Sequence, residues 1–283
     1  MTTIGPTIGV IYAASGADYF ELACTSARSL RAVAPGIPID IYTDQATPPG
    51  LFDMIHPLPH DGARAKLPAM AQTRFERTLF LDADTLVVGG LGDIWSLLDR
   101  FDLAAAHDVR RTSALVQAGA EPTPYAFPQL NTGVLLYRRS PAMLAFLAEW
   151  DRRFRAGGGD RDQPHFKDLL WSSDIRFYVL PPEFNLRRVT LLDAWEPLDV
   201  RPTILHSHRF LDHLPQAYGA GGPRIADPLA LVQAERLALA REWQAEDGDH
   251  PIARFAAAQE RLAAESAVPE AAFVPPQARL AVS

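Results

Sequence analysis

Short apolar runs alternate along the chain with longer stretches of helical period, the pattern of a sheet whose strands are joined by crossover helices. Ile8-Gly9-Val10-Ile11-Tyr12-Ala13 is apolar without alternation and predicts a first strand covered on both faces. A helix follows over 18–33, where Leu22, Ala23, Ser26, Leu30 and Val33 recur at helical spacing, and Pro35 ends it. Further strands are predicted at 37–42, 54–57, 78–81, 102–106, 132–137, 175–180 and 203–205. Helices fall between them at 64–73, kinked by Pro68, and at 91–100, 141–154 and 160–171.

Two stretches break this rhythm. Residues 108–129 are long, proline-bearing and weakly periodic, which suits a lid or binding loop and predicts a role in shaping a second-substrate site. From Asp227 the chain changes character. Asp227-Pro228 reads as an N-cap with proline at the first helical position, opening a helix to about 245, and a second helix is predicted at 251–266. Leu229, Val232, Leu237, Leu239 and Trp243 give the first of these an apolar side, so it should pack on something, within the chain or on a second copy. The Ala/Pro-rich residues 268–283 read as a loose tail. The expected organisation is an α/β domain over 1–223 and a helical extension over 224–283.

The composition narrows the partners. At 283 residues the chain is long enough to bury a core without disulfides or structural metal, and 48% hydrophobic with 22% charged residues is a globular balance. Acidic residues outnumber basic ones, 34 to 27, for a net charge of -7, which argues against a nucleic-acid binder. The one cysteine, Cys24, excludes an intrachain disulfide and a cysteine-based zinc cluster. There is no apolar run of about 20 residues to span a bilayer, and Met1 to Pro6 lack the basic start of a signal peptide. A soluble, cytoplasmic protein is the expectation.

Chemistry concentrates at strand ends. Asp82-Ala83-Asp84 follows Thr78-Leu79-Phe80-Leu81 at the carboxyl end of a buried strand, where open α/β sheets place ligands. Residues two apart in an extended segment project to one side, so both carboxylates can face one hard divalent cation. Without such an ion the two side chains would cap the turn before Thr85. His206 ends Thr203-Ile204-Leu205 in the same way, and an imidazole beside two carboxylates suits manganese; His208 and His213 stand close enough in sequence to substitute. The first strand ends in Ala14-Ser15-Gly16, small residues that let a ligand approach the backbone. There is no Walker loop, and Gly157-Gly158-Gly159 follows a helix and reads as a connector. Asp160-Arg161-Asp162-Gln163 opens a helix, where capping is the default use of the acids.

Taken in order, these pieces resemble the GT-A nucleotide-sugar glycosyltransferases, and most closely glycosyltransferase family 8, which includes glycogenin, galactinol synthase and bacterial lipopolysaccharide galactosyltransferases. The residues that carry the resemblance are Arg77-Thr-Leu-Phe-Leu-Asp-Ala-Asp-Thr-Leu-Val-Val88, Asn131-Thr-Gly-Val-Leu-Leu-Tyr137, Asp162-Gln163, Leu180-Pro-Pro-Glu-Phe-Asn185 and Ile204-Leu-His206. It implies a metal, manganese or magnesium, on Asp82, Asp84 and His206, and a UDP-sugar donor. It places uridine at Ala13, Ser15 and Gly16 with Tyr19 stacking on the base, the ribose at Asp82 and Ala83, and Lys66 reaching the donor. Asn131, Asp162 and Gln163 would line the sugar and the reacting carbon. Transfer with retention is the family's outcome, to a glycan, lipid, protein or small polyol.

The chain departs from the pattern after the metal histidine, where relatives continue with Gly and then Lys on the donor phosphates. Here Ser207-His208-Arg209-Phe210 follows, so Arg209 or His208 is expected to take the phosphate contact. Gly16 also stands where many relatives carry Asn. Two other readings compete. Phe80-Leu81-Asp82-Ala83-Asp84-Thr85-Leu86 also resembles the first motif of haloacid-dehalogenase-type phosphatases, with Asp82 as nucleophile and Asp84 as acid, although that motif normally sits on the first strand. A non-catalytic nucleotide-sugar-binding protein is the other.

Overall fold

The computed structural model describes residues 8–59, 64–109, 119–127, 129–157, 161–218, 228–246, 257 and 259–261. Nine strands are named in it: β1 (Ile8–Ala14), β2 (Ile39–Thr43), β3 (Met54–His56), β4 (Arg77–Leu81), β5 (Thr85–Val87), β6 (Leu103–Ala106), β7 (Val134–Arg138), β8 (Phe177–Leu180) and β9 (Ile204–His206). The α-helices are α1 (Ala17–Val33), α2 (Lys66–Ala71), α3 (Pro141–Gly157), α4 (Gln163–Trp171), α5 (Phe210–Tyr218) and α6 (Pro228–Glu246), with 3-10 turns at Ile94–Asp99, Pro182–Phe184 and Val189–Ala194.

Seven strands form one mixed sheet in the order β3-β2-β1-β4-β7-β6-β8. Strands β1 to β4 run parallel, and β7 is antiparallel to both β4 and β6. The chain leaves β1 for β2 on one side and returns to β4 on the other, so a topological switch point lies between β1 and β4. Ligand clefts form there because the two flanking loops part in opposite directions.

Successive side chains of the strands go to opposite faces, and this splits the core in two. Val10, Tyr12, Leu79 and Leu81 meet Leu22, Ala23, Ala27 and Leu30 of α1 on one face. Ile11 and Phe80 meet Leu67 and Met70 of α2, Phe146 and Trp150 of α3, and Phe166 of α4 on the other. Each fully buried Leu, Ile or Phe of this kind contributes roughly 1.5–3 kcal/mol.

A second, two-stranded sheet pairs β5 antiparallel with β9, with Thr85 opposite His206 and Val87 opposite Ile204. The sequence reading expected no strand at 85–87. Strand β5 is held by hydroxyls on the buried face of α1: Tyr12 Oη lies 3.0 Å from Ser26 Oγ, Ser26 Oγ 2.8 Å from Thr85 Oγ1, and the Val87 N–H donates to Ser29 Oγ at 2.9 Å. Thr85 Oγ1 in turn donates to the Asp82 carbonyl at 2.8 Å.

The chain separates into two compact units, residues 1–236 and 237–283. Helix α6 forms as expected from Asp227-Pro228, but its buried side differs from the apolar one read in the sequence. Leu231, Val232 and Glu235 are buried, while Leu229 and Leu237 are 70% and 65% exposed. The reason is Glu235, a fully buried acid whose partner is His213 Nε2 of α5 at 2.9 Å, so a polar contact sets the helix's rotation. Helix α5 itself is absent from the sequence reading. Most of the helix expected at 251–266, the tail, and residues 110–118 and 128 of the expected loop lie outside the described residues.

Candidate functional site

Strand β4 delivers Asp82 to the switch point, and the chain then turns over Ala83 and Asp84 into β5. The two carboxylates therefore converge through a turn, and not through the extended spacing expected from the sequence. His206 arrives from the opposite end of the chain because β9 pairs with β5, and the Ser207 N–H donates to the Asp84 carbonyl at 3.0 Å. The result is a cluster in which one ligand atom from each of Asp82, Asp84 and His206 lies within 4.8 Å of the others.

His206 Nε2 is 3.2 Å from Asp84 Oδ1. Its Nδ1 is 2.9 Å from Asn185 Oδ1, an acceptor, which puts the ring proton on Nδ1 and leaves the Nε2 lone pair toward the carboxylates. Burial, then the nearby charge of Arg187, push the imidazole's pKa below its ordinary value against the pull of Asp84 and Asp82, so the neutral, ligating form is favoured. Burial opposes ionisation of Asp84 too, yet its carboxyl lies well below the usual carboxylate range, the charge of Arg187 contributing. Gly133 completes the cradle: a Cβ there would run into the His206 imidazole and the Asp82 carboxylate, so only glycine lets β7 begin this close.

The capping roles weighed for these acids are not the ones they play. Asp162 stands at the N-terminus of α4 without a side-chain capping bond. Its carboxylate instead faces Lys66 Nζ at 3.4 Å and Arg64 Nε at 3.8 Å, and it is buried. Lys66 is also 3.2 Å from both Asp82 oxygens, so one buried ammonium bridges Asp82 and the helix-start acid Asp162. Burial alone would lower the lysine's pKa; Asp162 and Asp82 more than offset it and raise it. Burial likewise works against Asp162, but the charges of Lys66 and then Arg64 keep its carboxyl depressed and ionised.

A buried polar relay ties His206 to the far wall. Asn185 Nδ2 donates to Asn131 Oδ1 at 3.0 Å, Asn131 Nδ2 to Asp108 Oδ2 and to Gln163 Oε1 at 3.3 Å each, and Gln163 Nε2 to Asp108 Oδ2 at 2.7 Å. Asn131 is the hub, because its Oδ1 also accepts the Gly133 N–H at 3.1 Å.

All of this opens on a cleft of about 800 Å³, within the range of small-molecule sites. Of the residues assigned from the sequence, Ala13, Ser15 and Tyr19 line its β1 side. Lys66, Asp82, Ala83, Asp84 and His206 form its floor, and Asn131, Asp162 and Gln163 its far wall. Two lie elsewhere. Gly16 does not line the cleft: it caps α1 at φ 76° and gives its N–H to the Asp44 carboxylate at 3.1 Å. Arg209 is turned from the cleft toward α6, with Nη1 3.5 Å from the buried Glu235. That acid was not anticipated; of the two residues expected on the phosphates, His208 lines the cleft and Arg209 does not.

The cleft also contains residues to which the sequence reading gave no role, among them Arg64, Asp108 and Arg187. Asp108 could have been found by the rule that found Asp82, since it stands two residues beyond the buried strand β6. Arg187 had no local signal.

No protein-family model and no curated protein matches the sequence. Solved structures do match. The galactosyltransferase LgtC, determined in complex with donor and acceptor sugar analogues, is 16% identical with a TM-score of 0.53, covering 84% of this chain and 99% of that one. The glycosyltransferase GlyE of Streptococcus pneumoniae TIGR4 is 19% identical with a TM-score of 0.50, covering 86% of this chain and 65% of that one. WbbM, a bifunctional glycosyltransferase, is 14% identical with a TM-score of 0.51, and 73% of this chain covers 46% of it. Two of the three are thus substantially longer than the part matched here. The chain has the GT-A glycosyltransferase fold, a mixed α/β sheet with helices on both faces. Among the described residues no helix is long and apolar enough to cross a membrane.

Proposed function

We propose that this chain is a divalent-cation-dependent glycosyltransferase that moves a sugar from a nucleoside diphosphate, UDP in the first instance, to a glycan, lipid, protein or small-polyol acceptor with retention of configuration. The observation that carries it is the convergence of Asp82, Asp84 and His206 at the switch point of a GT-A fold. Two hard oxygens and one neutral imidazole fit manganese, with magnesium as substitute, and the tautomer fixed by Asn185 presents the nitrogen such an ion requires. When bound, the ion supplies Lewis-acid stabilisation of the charge that develops on the diphosphate as the anomeric carbon leaves it.

The residues of the chain do the rest. Ala13 and Ser15 leave room for the base against the end of β1, and Tyr19, 51% exposed at the cleft edge, offers it a stacking face. Lys66 fixes Asp82 relative to Asp162, so the two ends of the breaking bond are positioned by one ammonium. Asp162, kept ionised by Lys66 and Arg64, faces the developing positive charge of the sugar. Gln163 and Asn131, locked together through Asp108, present a rigid polar wall to the sugar hydroxyls.

A cytoplasmic location, a catalytic domain ending near 223 and self-association through the C-terminal helices belong to the same reading. The test is a thermal-shift panel of nucleotide sugars with and without manganese, followed by donor hydrolysis. Stabilisation by a UDP-sugar only with the ion, and slow release of UDP, is expected. No stabilisation by any nucleotide sugar overturns the reading; binding without turnover moves it to the non-catalytic protein. Covalent trapping of Asp82 by beryllium fluoride would restore the phosphatase, which the shared fold does not favour.

A further inference from the structure

Of the described arginines and lysines that line the cleft, Arg161 is exposed, and Arg187 alone has a buried nitrogen without an acceptor. Lys66 is bound to Asp82 and Asp162, and Arg64 shares Asp162. Arg209, the cation expected there, is held by Glu235 outside the cleft.

Arg187 stands in a different relation. Leu186 is pinned to β9, giving its N–H to the Ile204 carbonyl at 2.8 Å and accepting the His206 N–H at 3.1 Å. The next side chain along therefore emerges beside the metal-site histidine, and it lines the cleft. Its Nε is buried, and among the described residues it has no hydrogen-bond partner and Arg187 makes no ion pair. Its charge is felt by both His206 and Asp84. A buried guanidinium N–H without an acceptor is unfavourable, and an oxyanion ligand would relieve that.

We propose that Arg187 binds the diphosphate of the donor, its planar fork taking the leaving-group oxygens beside the ion site. The inference rests on the nucleoside-diphosphate reading above. Arginine fits the task because two parallel N–H donors match two phosphate oxygens, and it stays charged in a site that also holds a cation.

The charge also predicts an effect of opposite sign on the ion alone. Next to Asp84 and His206, Arg187 repels a metal that arrives without nucleotide and attracts the diphosphate that arrives with it. The experiment uses the full chain, with wild type, Arg187→Gln and Arg187→Lys. Manganese alone is titrated by electron paramagnetic resonance, UDP with manganese by calorimetry, and uridine with manganese by ligand-observed NMR.

Arg187→Gln should weaken UDP about 10- to 100-fold, leave uridine unchanged, and bind manganese alone at least as tightly as wild type; Arg187→Lys should recover part of the UDP affinity. If wild type binds UDP and Arg187→Gln binds it within twofold, the inference falls while the glycosyltransferase reading stands. Equal losses for UDP and uridine overturn it as well, by showing a disturbed site. If wild type binds no nucleoside diphosphate with manganese, both fall together.

Discussion

Replacing Lys66 by methionine keeps most of the side chain's volume and deletes the ammonium that bridges two acids. Asp162 is then left in a buried position with only Arg64, 3.8 Å away, as counter-charge, while Asp82, 27% exposed, turns to water. Breaking a fully buried pair costs about 3–5 kcal/mol, and the remaining arginine argues for the low end, about 3 kcal/mol. For a unit of the size of residues 1–236, each kcal/mol lowers Tm by about 2–4 °C, so the deficit at pH 7.5 should be about 6–12 °C. The pH dependence gives the reasoning a second edge. In wild type the depressed Asp162 pKa contributes stability above the unfolded value that is lost as pH falls through the folded one. In the variant, burial without Lys66 raises the folded pKa above the unfolded one. The penalty is then full at neutral pH and shrinks as the carboxyl takes up a proton toward pH 5. Circular-dichroism melts at pH 7.5 and 5 measure both, and Asp162→Asn in the same background should recover much of the loss. A Tm within 2 °C of wild type at pH 7.5, or a deficit that does not change with pH, would refute the assignment of Lys66 as the bridge.

Three other outcomes are expected. Asp84→Ala should abolish manganese-dependent UDP binding with an unchanged far-UV spectrum, and calorimetry showing wild-type UDP affinity in the presence of the ion would count against the site. Asn185→Ala removes the acceptor 2.9 Å from His206 Nδ1 and should weaken manganese about 10- to 100-fold, with Asn185→Asp, which keeps an acceptor, losing less. Cys24 is 1% exposed on α1 and burial pushes its thiol up to about 11, so it should resist a disulfide reagent at pH 8 until denaturant unfolds the sheet; fast labelling of the native protein would contradict the packing of α1.

The parts of the molecule legible in the sequence are those whose pattern is local. The unbroken apolar runs of β1 and β4 and the spacing of α1 gave the parallel half of the sheet, and polar residues at two strand ends gave Asp82, Asp84 and His206, the three members of the cluster. What was not legible depends on long-range pairing. Strand β5 is three residues long and owes its existence to β9, about 120 residues later, and to hydroxyls of Ser26 and Ser29 that read as ordinary polar positions. The face of α6 was misread because a charged residue, Glu235, sits at its buried centre, and the His213 that satisfies it comes from a helix with no clear signal, with Arg209 just before that helix. The same contact explains why Arg209 is not on the cleft. Arg187 is brought there by a single-residue bridge between Leu186 and Leu205, which leaves no trace in hydrophobic periodicity.

The central claim is that three distant side chains share one ion, and that the ion sits where a nucleoside diphosphate is held. Anomalous diffraction from a crystal grown with manganese and UDP measures this directly. The account predicts a manganese peak at bonding distance, about 2.0–2.2 Å, from Asp82, Asp84 and His206 Nε2, with diphosphate oxygens completing its shell. A peak bound elsewhere, or UDP seated in the cleft with no ion on these three residues, would contradict it.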